Sequence, residues 1–252
     1  MNSLSGMIVG FVGSGNMAAA IARGWRGEFE QMLFSDSGSG RARRLAEELG
    51  GEAVSNADLV RRADLVVLAV KPNKLDEVAP QLGDAREVVS VLAAVSLERL
   101  QAAFPGAEHV LRTMPNVGVE VRQGVICAVG SASEQVRAKL GLLGHVVEIP
   151  DEDFDRATAI MGCAPAYVAV AVEALADAGA EAGLDPELAR ELVVETTAGT
   201  AELLRERPPA EVRKAVTSPG GSTEAGLEAL DREGAAAAFK AAVEASLERM
   251  RG

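Results

Sequence analysis

Two glycine-containing segments of this chain combine residue types that can hold an anionic ligand. The first, Gly13-Ser14-Gly15-Asn16-Met17-Ala18, is a G-x-G-x-x-A motif that follows an apolar run and opens a helical stretch. In a strand–turn–helix context, Gly13 permits the tight turn and Gly15 lets the backbone approach a pyrophosphate, while Ala18 lets the helix lie against the strand. The motif therefore predicts a dinucleotide-binding site.

The second segment is the turn-rich stretch Val216–Thr223, which leads into a helical pattern over Glu224–Leu230. It offers exposed backbone amides next to hydroxyl side chains at a predicted helix N-terminus. The same physics that places anions at helix starts would let this loop bind a carboxylate. A structural turn accounts for Pro219-Gly220-Gly221, but it does not account for hydroxyl groups on both sides of that turn.

Conflicting signals for the choice of cofactor follow the second apolar run. Asp36 lies 21 residues after Gly15 (36 − 15 = 21), where an acid would hold the ribose hydroxyls of NAD. Arg41, Arg43 and Arg44 come soon after and could instead meet the 2′-phosphate of NADP, although a solvated helix face also explains them. Both NADPH and NADH stay open as cofactors.

Two further candidates stand where predicted strands end. Ala69-Val70-Lys71-Pro72 closes one strand at the edge where ligands bind in open α/β sheets, which places Lys71 beside a pyrophosphate or a ribose. Asn116, in Met114-Pro115-Asn116, could bond a carboxamide or the backbone of its own turn. The ordinary alternatives are a surface lysine and a turn-capping asparagine.

The elements that must position these residues follow two patterns. Residues 1–149 alternate short apolar runs with helical stretches, and runs such as Leu65–Val70 do not alternate polar with apolar residues. That pattern is typical of strands buried on both faces, so the first half is predicted to be a doubly wound α/β sheet. The predicted strands are Met7–Val12, Gln31–Phe34, Leu65–Val70, Glu87–Leu92, His109–Arg112, Gly124–Ala128 and Val146–Ile149.

Residues 150–252 contain no convincing strand, are rich in alanine and are predicted to be all helical. The expected helices are Asp153–Gly183, kinked at Pro165, then Pro186–Arg205 and Gly234–Arg251. About 100 residues with so thin a core are a candidate for burying their faces against a partner subunit.

Composition excludes several classes of partner. The charges, 25 Lys and Arg against 37 Asp and Glu, give a net charge of −12, which argues against binding to nucleic acid or an anionic membrane. The longest apolar runs fall short of the roughly 20 residues of a membrane span, and Met1–Gly6 lacks the basic region of a signal peptide. Two cysteines, Cys127 and Cys163, form no disulfide framework, and no metal-ligand cluster is visible, so a soluble cytoplasmic protein without a metal is expected.

Taken together, the motifs resemble those of pyrroline-5-carboxylate reductase along nearly the whole chain. The matching features are G-x-G-x-M-A at 13–18, A-V-K-P at 69–72, M-P-N at 114–116, P-A-Y at 165–167 and T-S-P-G-G-S-T at 217–223. The last is the most specific of the five, and all five occur in the family's order. The chain departs from the family at Cys163, where serine is usual, and at Ala94, where glycine is usual.

The resemblance implies a Rossmann domain followed by a helical domain that forms a homodimer or a larger homo-oligomer. It implies an oxidoreductase that reduces 1-pyrroline-5-carboxylate to L-proline, the last step of proline biosynthesis, by hydride from NADPH or NADH. Positions that match the family's cofactor contacts are Val12, Gly13, Ser14, Gly15, Asn16, Met17, Ser35, Asn56, Ala69, Val70, Lys71, Pro72 and Ala93.

For the substrate, the resemblance implies that the loop over Ser218, Gly220, Gly221, Ser222 and Thr223 holds the carboxylate. Thr223 would hydrogen-bond the imine nitrogen, and Glu206 would lie near it, unless Glu206 is only a solvated acid between Arg205 and Arg207. Hydride adds readily to a protonated C=N, so the site must favour the cation. Thr223 is too weak an acid to supply that proton, which leaves the proton to solvent or to the substrate itself.

Two competing functions remain. One is a related imine or hydroxyacid reductase of the same architecture; the hydroxyacid enzymes rely on a lysine in the first long helix of the second domain, and Asp151–Gly183 contains none. The other is a non-catalytic nucleotide-binding paralogue, which predicts an eroded substrate loop, whereas this loop is intact.

Overall fold

The computed structural model describes residues 6–251 and, at Arg251, the backbone alone. The N-terminal segment on which the absence of a signal peptide was predicted therefore lies outside the described residues, apart from Gly6. The chain divides into two compact units, Met1–Gly162 and Cys163–Gly252. This division falls after the predicted one at 149/150. The reason is visible at Arg112, which pairs with Asp151 at 2.6 Å and lies 3.6 Å over the ring of Phe154, so this segment is attached to the sheet.

The first unit is built on one eight-stranded sheet in the order β3-β2-β1-β4-β5-β6-β7-β8. All neighbouring strands pair in parallel except β6 and β7, which are antiparallel. The strands are β1 Ile8–Val12, β2 Gln31–Ser35, β3 Glu52–Ala53, β4 Leu65–Leu68, β5 Glu87–Ser90, β6 His109–Pro115, β7 Gly124–Gly130 and β8 Gly144–Glu148. The order reverses direction between β1 and β4, which is the point where open α/β sheets bind their ligands.

Helices cover both faces of this sheet. They are α1 Asn16–Gly24, α2 Arg41–Leu49, α3 Asn56–Arg62, α4 Leu75–Val78, α5 Leu97–Ala103, α6 Glu134–Gly141 and α7 Phe154–Ala157. Two apolar clusters fill the space between the layers. One joins Phe11 and Phe34, which stack at 5.2 Å, with Trp25 of the segment after α1; the other joins Leu59, Leu68 and neighbouring side chains on the opposite face. The predicted doubly wound sheet is confirmed.

All seven predicted strands are present, whereas β3 was not predicted. Two residues are too few to give a hydrophobic pattern, so β3 left no signal in the sequence. The sequence pattern over Leu75–Leu82 predicts one helix, but the structure has 3₁₀ turns at Pro72–Lys74 and Ala79–Leu82 on either side of α4. Pro80 lacks an N–H group and cannot continue an α-helical ladder.

Helices are the only regular secondary structure among the described residues of the second unit. It comprises α8 Ala164–Glu181, α9 Pro186–Glu206, α10 Pro209–Ala215, α11 Ser222–Arg232 and α12 Ala235–Arg251. Tyr167 links α8 to α12, because its hydroxyl lies 2.5 Å from the Ser246 hydroxyl and 3.3 Å from the Ala242 carbonyl oxygen. The helix α10 was not predicted; Pro209 occupies its first turn, where proline is well tolerated.

The structure does not have the predicted single α-helix over Asp153–Gly183. A π-helical segment, Thr158–Gly162, follows α7, and a new helix, α8, begins at Ala164. Pro165 lies in the first turn of α8, directly after this interruption, where its missing N–H group is well tolerated. The stretch Asp151–Glu181 is, by length and composition, apolar enough to cross a membrane, although each of its separate apolar runs is too short.

A backbone strain lies just beyond β5. Ala94 has a φ of +57°, the left-handed region that favours glycine, and Ala93 before it has no positive φ. Both side chains are exposed, so neither loses packing when it is shortened. An alanine in this conformation costs about 1 kcal/mol.

We therefore expect Ala94→Gly to raise the free energy of unfolding by up to about 1 kcal/mol, because it removes this strain. Ala93→Gly is the matched control and should lower stability by a few tenths of a kcal/mol to about 1 kcal/mol, since it only adds freedom to the unfolded chain. Urea unfolding of both variants measures the difference. Equal destabilisation by the two substitutions would contradict the strain at Ala94.

Candidate active site

Two glycines shape the turn between β1 and α1: Gly13 is crowded by neighbouring backbone, and Gly15 faces open space. Gly13 has a φ of +94°, and a Cβ atom there would lie 2.6 Å from the carbonyl oxygen of Ala69. A Cβ atom on Gly15 would meet nothing within 4 Å. Gly15 also caps α1 without any side-chain hydrogen bond, so the first N–H groups of this helix lack a side-chain partner. The turn is closed on the protein side and open on the other, as the binding of a pyrophosphate requires.

Two buried serines hold the ends of β1 and β2 together. The Ser14 hydroxyl donates to the Ser35 carbonyl oxygen at 3.1 Å, and the Gly13 N–H donates to the same oxygen at 3.1 Å. The Ser35 hydroxyl donates to the Phe11 carbonyl oxygen at 3.4 Å. The side chains of Ser14 and Ser35, both predicted cofactor contacts, are thus engaged in fixing the turn.

Asp36, the predicted ribose-binding acid, forms hydrogen bonds within its own loop and to the start of α2. Its carboxylate accepts hydrogen bonds from the Gly38 N–H at 2.8 Å, the Ser39 hydroxyl at 2.7 Å and the Ala42 N–H at 2.9 Å. Burial alone would raise the pKa of Asp36, but these hydrogen bonds outweigh it and hold the pKa below its usual value. The carboxylate therefore stays ionised and organises the start of α2.

The remaining predicted cofactor contacts follow the carboxyl ends of parallel strands and share one edge of the sheet. Val12 ends β1, Ala69–Pro72 follows β4 and Ala93 follows β5. Lys71 is exposed, and within the described residues its ammonium group has no ion pair. Asn56 is the first residue of α3, after β3, and its amide donates to the Gln81 side chain at 2.9 Å.

Asn116 lies at the same edge, after β6, with a side chain already bonded on both sides. Its Oδ1 accepts from the N–H groups of Gly118 at 3.1 Å and Val125 at 3.2 Å, and its Nδ2 donates to the Met161 carbonyl oxygen at 3.2 Å. This arrangement favours the turn-capping alternative. A cofactor contact through its side chain stays a prediction.

The second candidate site is the loop between α10 and α11. Gly220 has a φ of +71°, and a Cβ atom on Gly221 would lie 2.6 Å from the Ser218 hydroxyl oxygen. Gly221 caps α11 without a side-chain hydrogen bond. In the described part of the chain, the hydroxyls of Ser218, Ser222 and Thr223 have no hydrogen-bond partner. The loop therefore presents several unused donors beside the N-terminus of an 11-residue helix.

Glu224 holds this loop, and the sequence reasoning missed it. Its Oε2 accepts a hydrogen bond from the Gly220 N–H at 2.7 Å. In a capping box, a glutamate at the third helical position reaches back to the N–H of the N-cap residue; Glu224 has this position but bonds Gly220, one residue before the N-cap Gly221. Its spacing from Gly221 could have revealed it. Glu206 is the exposed last residue of α9, in the same unit, and no hydrogen bond joins it to Thr223 among the described residues.

Neither cysteine has the surroundings of a nucleophile. Cys127 is buried in β7, and burial raises the pKa of its thiol, which keeps it protonated. Cys163 is half-buried just before α8. Within residues 6–251, no group of three or more His, Cys, Asp and Glu side chains is arranged to hold a metal ion.

Both units match families of known proteins. The family model described as pyrroline-5-carboxylate reductase dimerisation matches residues 151–252, and the one described as NADP oxidoreductase coenzyme F420-dependent matches residues 8–94. The pyrroline-5-carboxylate reductase of Thermus thermophilus is 37% identical over 255 residues, covering 96% of this chain and 97% of the relative.

Two solved structures have the same fold along almost the whole chain. The 1-pyrroline-5-carboxylate reductase from Streptococcus pyogenes has a TM-score of 0.86 and 32% identity, and covers 97% of this chain and 98% of that one. A Plasmodium falciparum pyrroline carboxylate reductase with NADP bound has a TM-score of 0.84 and 27% identity, with 98% of each chain covered. The cofactor of this chain is NAD(P)H. On its sequence, its fold and the order of its motifs, the chain belongs to the pyrroline-5-carboxylate reductase family.

Proposed function

We propose that this protein reduces 1-pyrroline-5-carboxylate to L-proline with NAD(P)H. The observation that carries the proposal is the loop over residues 218–223: in the described part of the chain, its three hydroxyl groups and the first N–H groups of α11 have no hydrogen-bond partner. A nucleotide-binding turn alone would fit many reductases. The donor-rich loop adds a site for a small carboxylic acid, and the named relatives act on such an acid.

In this proposal one glycine-containing turn binds the cofactor and the other binds the substrate. The Gly13–Gly15 turn accepts the pyrophosphate at the N-terminus of α1, where the open side of Gly15 leaves room for it. The loop from Ser218 to Thr223 holds the substrate carboxylate through hydroxyl groups and the first N–H groups of α11. Bound NAD(P)H supplies the hydride that adds to the carbon of the C=N bond.

Thr223 is the residue that we assign to the ring nitrogen. Its hydroxyl lies in the first turn of α11, beside the carboxylate-binding donors, so one residue can orient the ring relative to its carboxylate. Threonine is too weak an acid to protonate the nitrogen, and that proton comes from solvent or arrives with the substrate. We assign Glu206, an exposed carboxylate, to electrostatic stabilisation of the cationic C=N group.

We also propose that residues 150–252 form the dimerisation domain of a homodimer. Among the described residues of the second unit, Ala189 alone is fully buried. A domain of this size that folds alone buries about 60% or more of the surface of its unfolded chain, and a single fully buried residue is far from the core that such burial requires. The uncovered apolar side chains of α8 and α9 include Val168, Val170, Leu175, Leu188, Leu192 and Val194.

A second copy of the chain would cover this apolar surface. Burial against a second copy would also explain why Asp151–Glu181 is apolar without any membrane. The stretch carries acidic residues near both ends. The proposed protein is cytoplasmic, consistent with its two free cysteines, and it binds neither nucleic acid nor membrane, consistent with its net charge of −12.

The proposed activity is tested by the oxidation of NADPH and of NADH, in parallel, with racemic pyrroline-5-carboxylate. We expect Thr223→Ala to lower kcat about tenfold or more, the low end of what a positioned hydrogen bond contributes. Thr223→Ser keeps the hydroxyl and should retain most of the activity. No oxidation of either cofactor by the wild-type protein would refute the function, and full turnover by Thr223→Ala would remove the role of the hydroxyl.

Glu224→Ala should raise the KM for pyrroline-5-carboxylate about five- to tenfold, because the charge-assisted hydrogen bond that organises the loop is worth about 1–1.5 kcal/mol. The KM for the nucleotide should not change. Glu224→Gln keeps an acceptor for the Gly220 N–H and removes only the charge, so its KM should stay within about twofold of wild type. A Glu224→Ala variant with the wild-type KM would show that the loop does not depend on this bond.

Light scattering should give a mass of at least twice the 26.1 kDa of one chain. Val168→Glu, in the groove between α8 and α9, should shift the protein towards monomer, because it places a charge in the proposed interface. Val121→Glu is the control, since Val121 is an exposed valine of the first unit. A wild-type monomer, or equal dissociation by both variants, would contradict the proposed interface.

A further inference from the structure

Three arginines at the start of α2 differ from all other arginines of the first unit. Between residues 6 and 162, every other arginine lies within 4.0 Å of a carboxylate oxygen. The guanidinium groups of Arg41, Arg43 and Arg44 have no ion pair or hydrogen bond with any described residue. In a chain with a net charge of −12, three uncompensated cations within four positions indicate an anionic ligand that is not part of the chain.

The position of α2 limits what this ligand can be. Arg41 is the first residue of the helix and comes six positions after Ser35, the end of β2, at the same edge of the sheet as the Gly13–Gly15 turn. A dinucleotide whose pyrophosphate occupies that turn places its adenosine ribose near the end of β2. The ligand nearest to Arg41 is therefore whatever substituent the ribose carries at its 2′ position.

Asp36, the acid that would favour an unmodified ribose, already has hydrogen-bond partners within the protein. Asp36 uses its carboxylate for the Gly38 N–H, the Ser39 hydroxyl and the Ala42 N–H, all within its own loop and α2. In NAD-binding sheets, an acid at this place accepts hydrogen bonds from the ribose hydroxyls. Here three of its roughly four acceptor positions are occupied by the protein itself.

Helical geometry separates the three arginines. At about 100° per residue, Arg41 and Arg44 are about 60° apart around α2, whereas Arg43 is about 160° from Arg41 and so lies on the opposite side of the helix from it. We propose that Arg41, with Arg44 beside it, binds the 2′-phosphate of NADPH and makes the enzyme prefer NADPH to NADH. The inference rests on the proposed function only in its activity measurement. A guanidinium suits this ligand because it can bind a phosphate with two parallel hydrogen bonds.

Calorimetric titration with adenosine 2′,5′-bisphosphate and with 5′-AMP tests the inference without catalysis. Wild-type protein should bind the bisphosphate about tenfold more tightly or better, as charged hydrogen bonds to one phosphate imply. Arg41→Ala should lose most of that difference and leave the affinity for 5′-AMP unchanged. Arg43→Ala removes the same charge from the other side of the same helix, and it should change neither affinity by more than about twofold.

Steady-state kinetics give a second measurement on the same variants. The kcat/KM for NADPH should fall about tenfold or more in Arg41→Ala, while the value for NADH stays within about twofold of wild type. Equal affinity of the wild-type protein for the two adenosine ligands, or a larger loss in Arg43→Ala than in Arg41→Ala, would overturn the inference. A protein that binds the bisphosphate through Arg41 but reduces no pyrroline-5-carboxylate would keep this inference and refute the proposed function.

Discussion

The close approach of Gly13 to the end of β4 is the constraint on which the nucleotide site depends. The Ala69 N–H donates to the Val12 carbonyl oxygen at 2.8 Å, and Gly13 stands so near that any side chain would strike the Ala69 carbonyl. At the same point Gly13 donates to Ser35, so the ends of three neighbouring strands meet around one residue without a Cβ atom. Because the sheet order reverses between β1 and β4, this meeting point is also the crevice in which a ligand can lie.

The two candidate sites use the same device, a helix whose first N–H groups are left without a side-chain cap. Helices α1 and α11 begin after Gly15 and Gly221, neither of which provides an acceptor. By contrast, α3, α5 and α6 begin after serines whose hydroxyls accept a hydrogen bond from the first turn. A serine cap satisfies the helix from within, whereas a glycine cap leaves donors for an anion. At α11 the carboxylate of Glu224 stabilises the loop through Gly220 and leaves the donors at the helix start unused.

The sequence predicted the elements that have a strong pattern and missed those that depend on contacts between distant residues. Buried strands such as Leu65–Leu68 are continuous apolar runs, and the glycine motif carries its own context, so the sheet and the nucleotide edge were predictable. The two-residue β3 has no pattern of its own. That the carboxylate of Asp36 turns to the Ala42 N–H depends on how the loop folds, and spacing alone cannot show it. Likewise, the attachment of Asp151 to the sheet requires Arg112, 39 residues earlier, which moved the boundary between the units.

In the proposed homodimer, the stability of the helical unit depends on association. With Ala189 as its one fully buried residue in the described part of the chain, it has no core that could offset the loss of conformational freedom on folding. Small side chains along α8 and α9 let helices approach closely, but they bury little area unless other helices pack against them. The substrate loop starts a helix of this same unit, so its donors are held in place only as firmly as the unit itself. In the proposed homodimer, binding of a partner copy therefore raises the fraction of folded chains and, by the same equilibrium, the fraction of chains in which the candidate substrate loop is ordered.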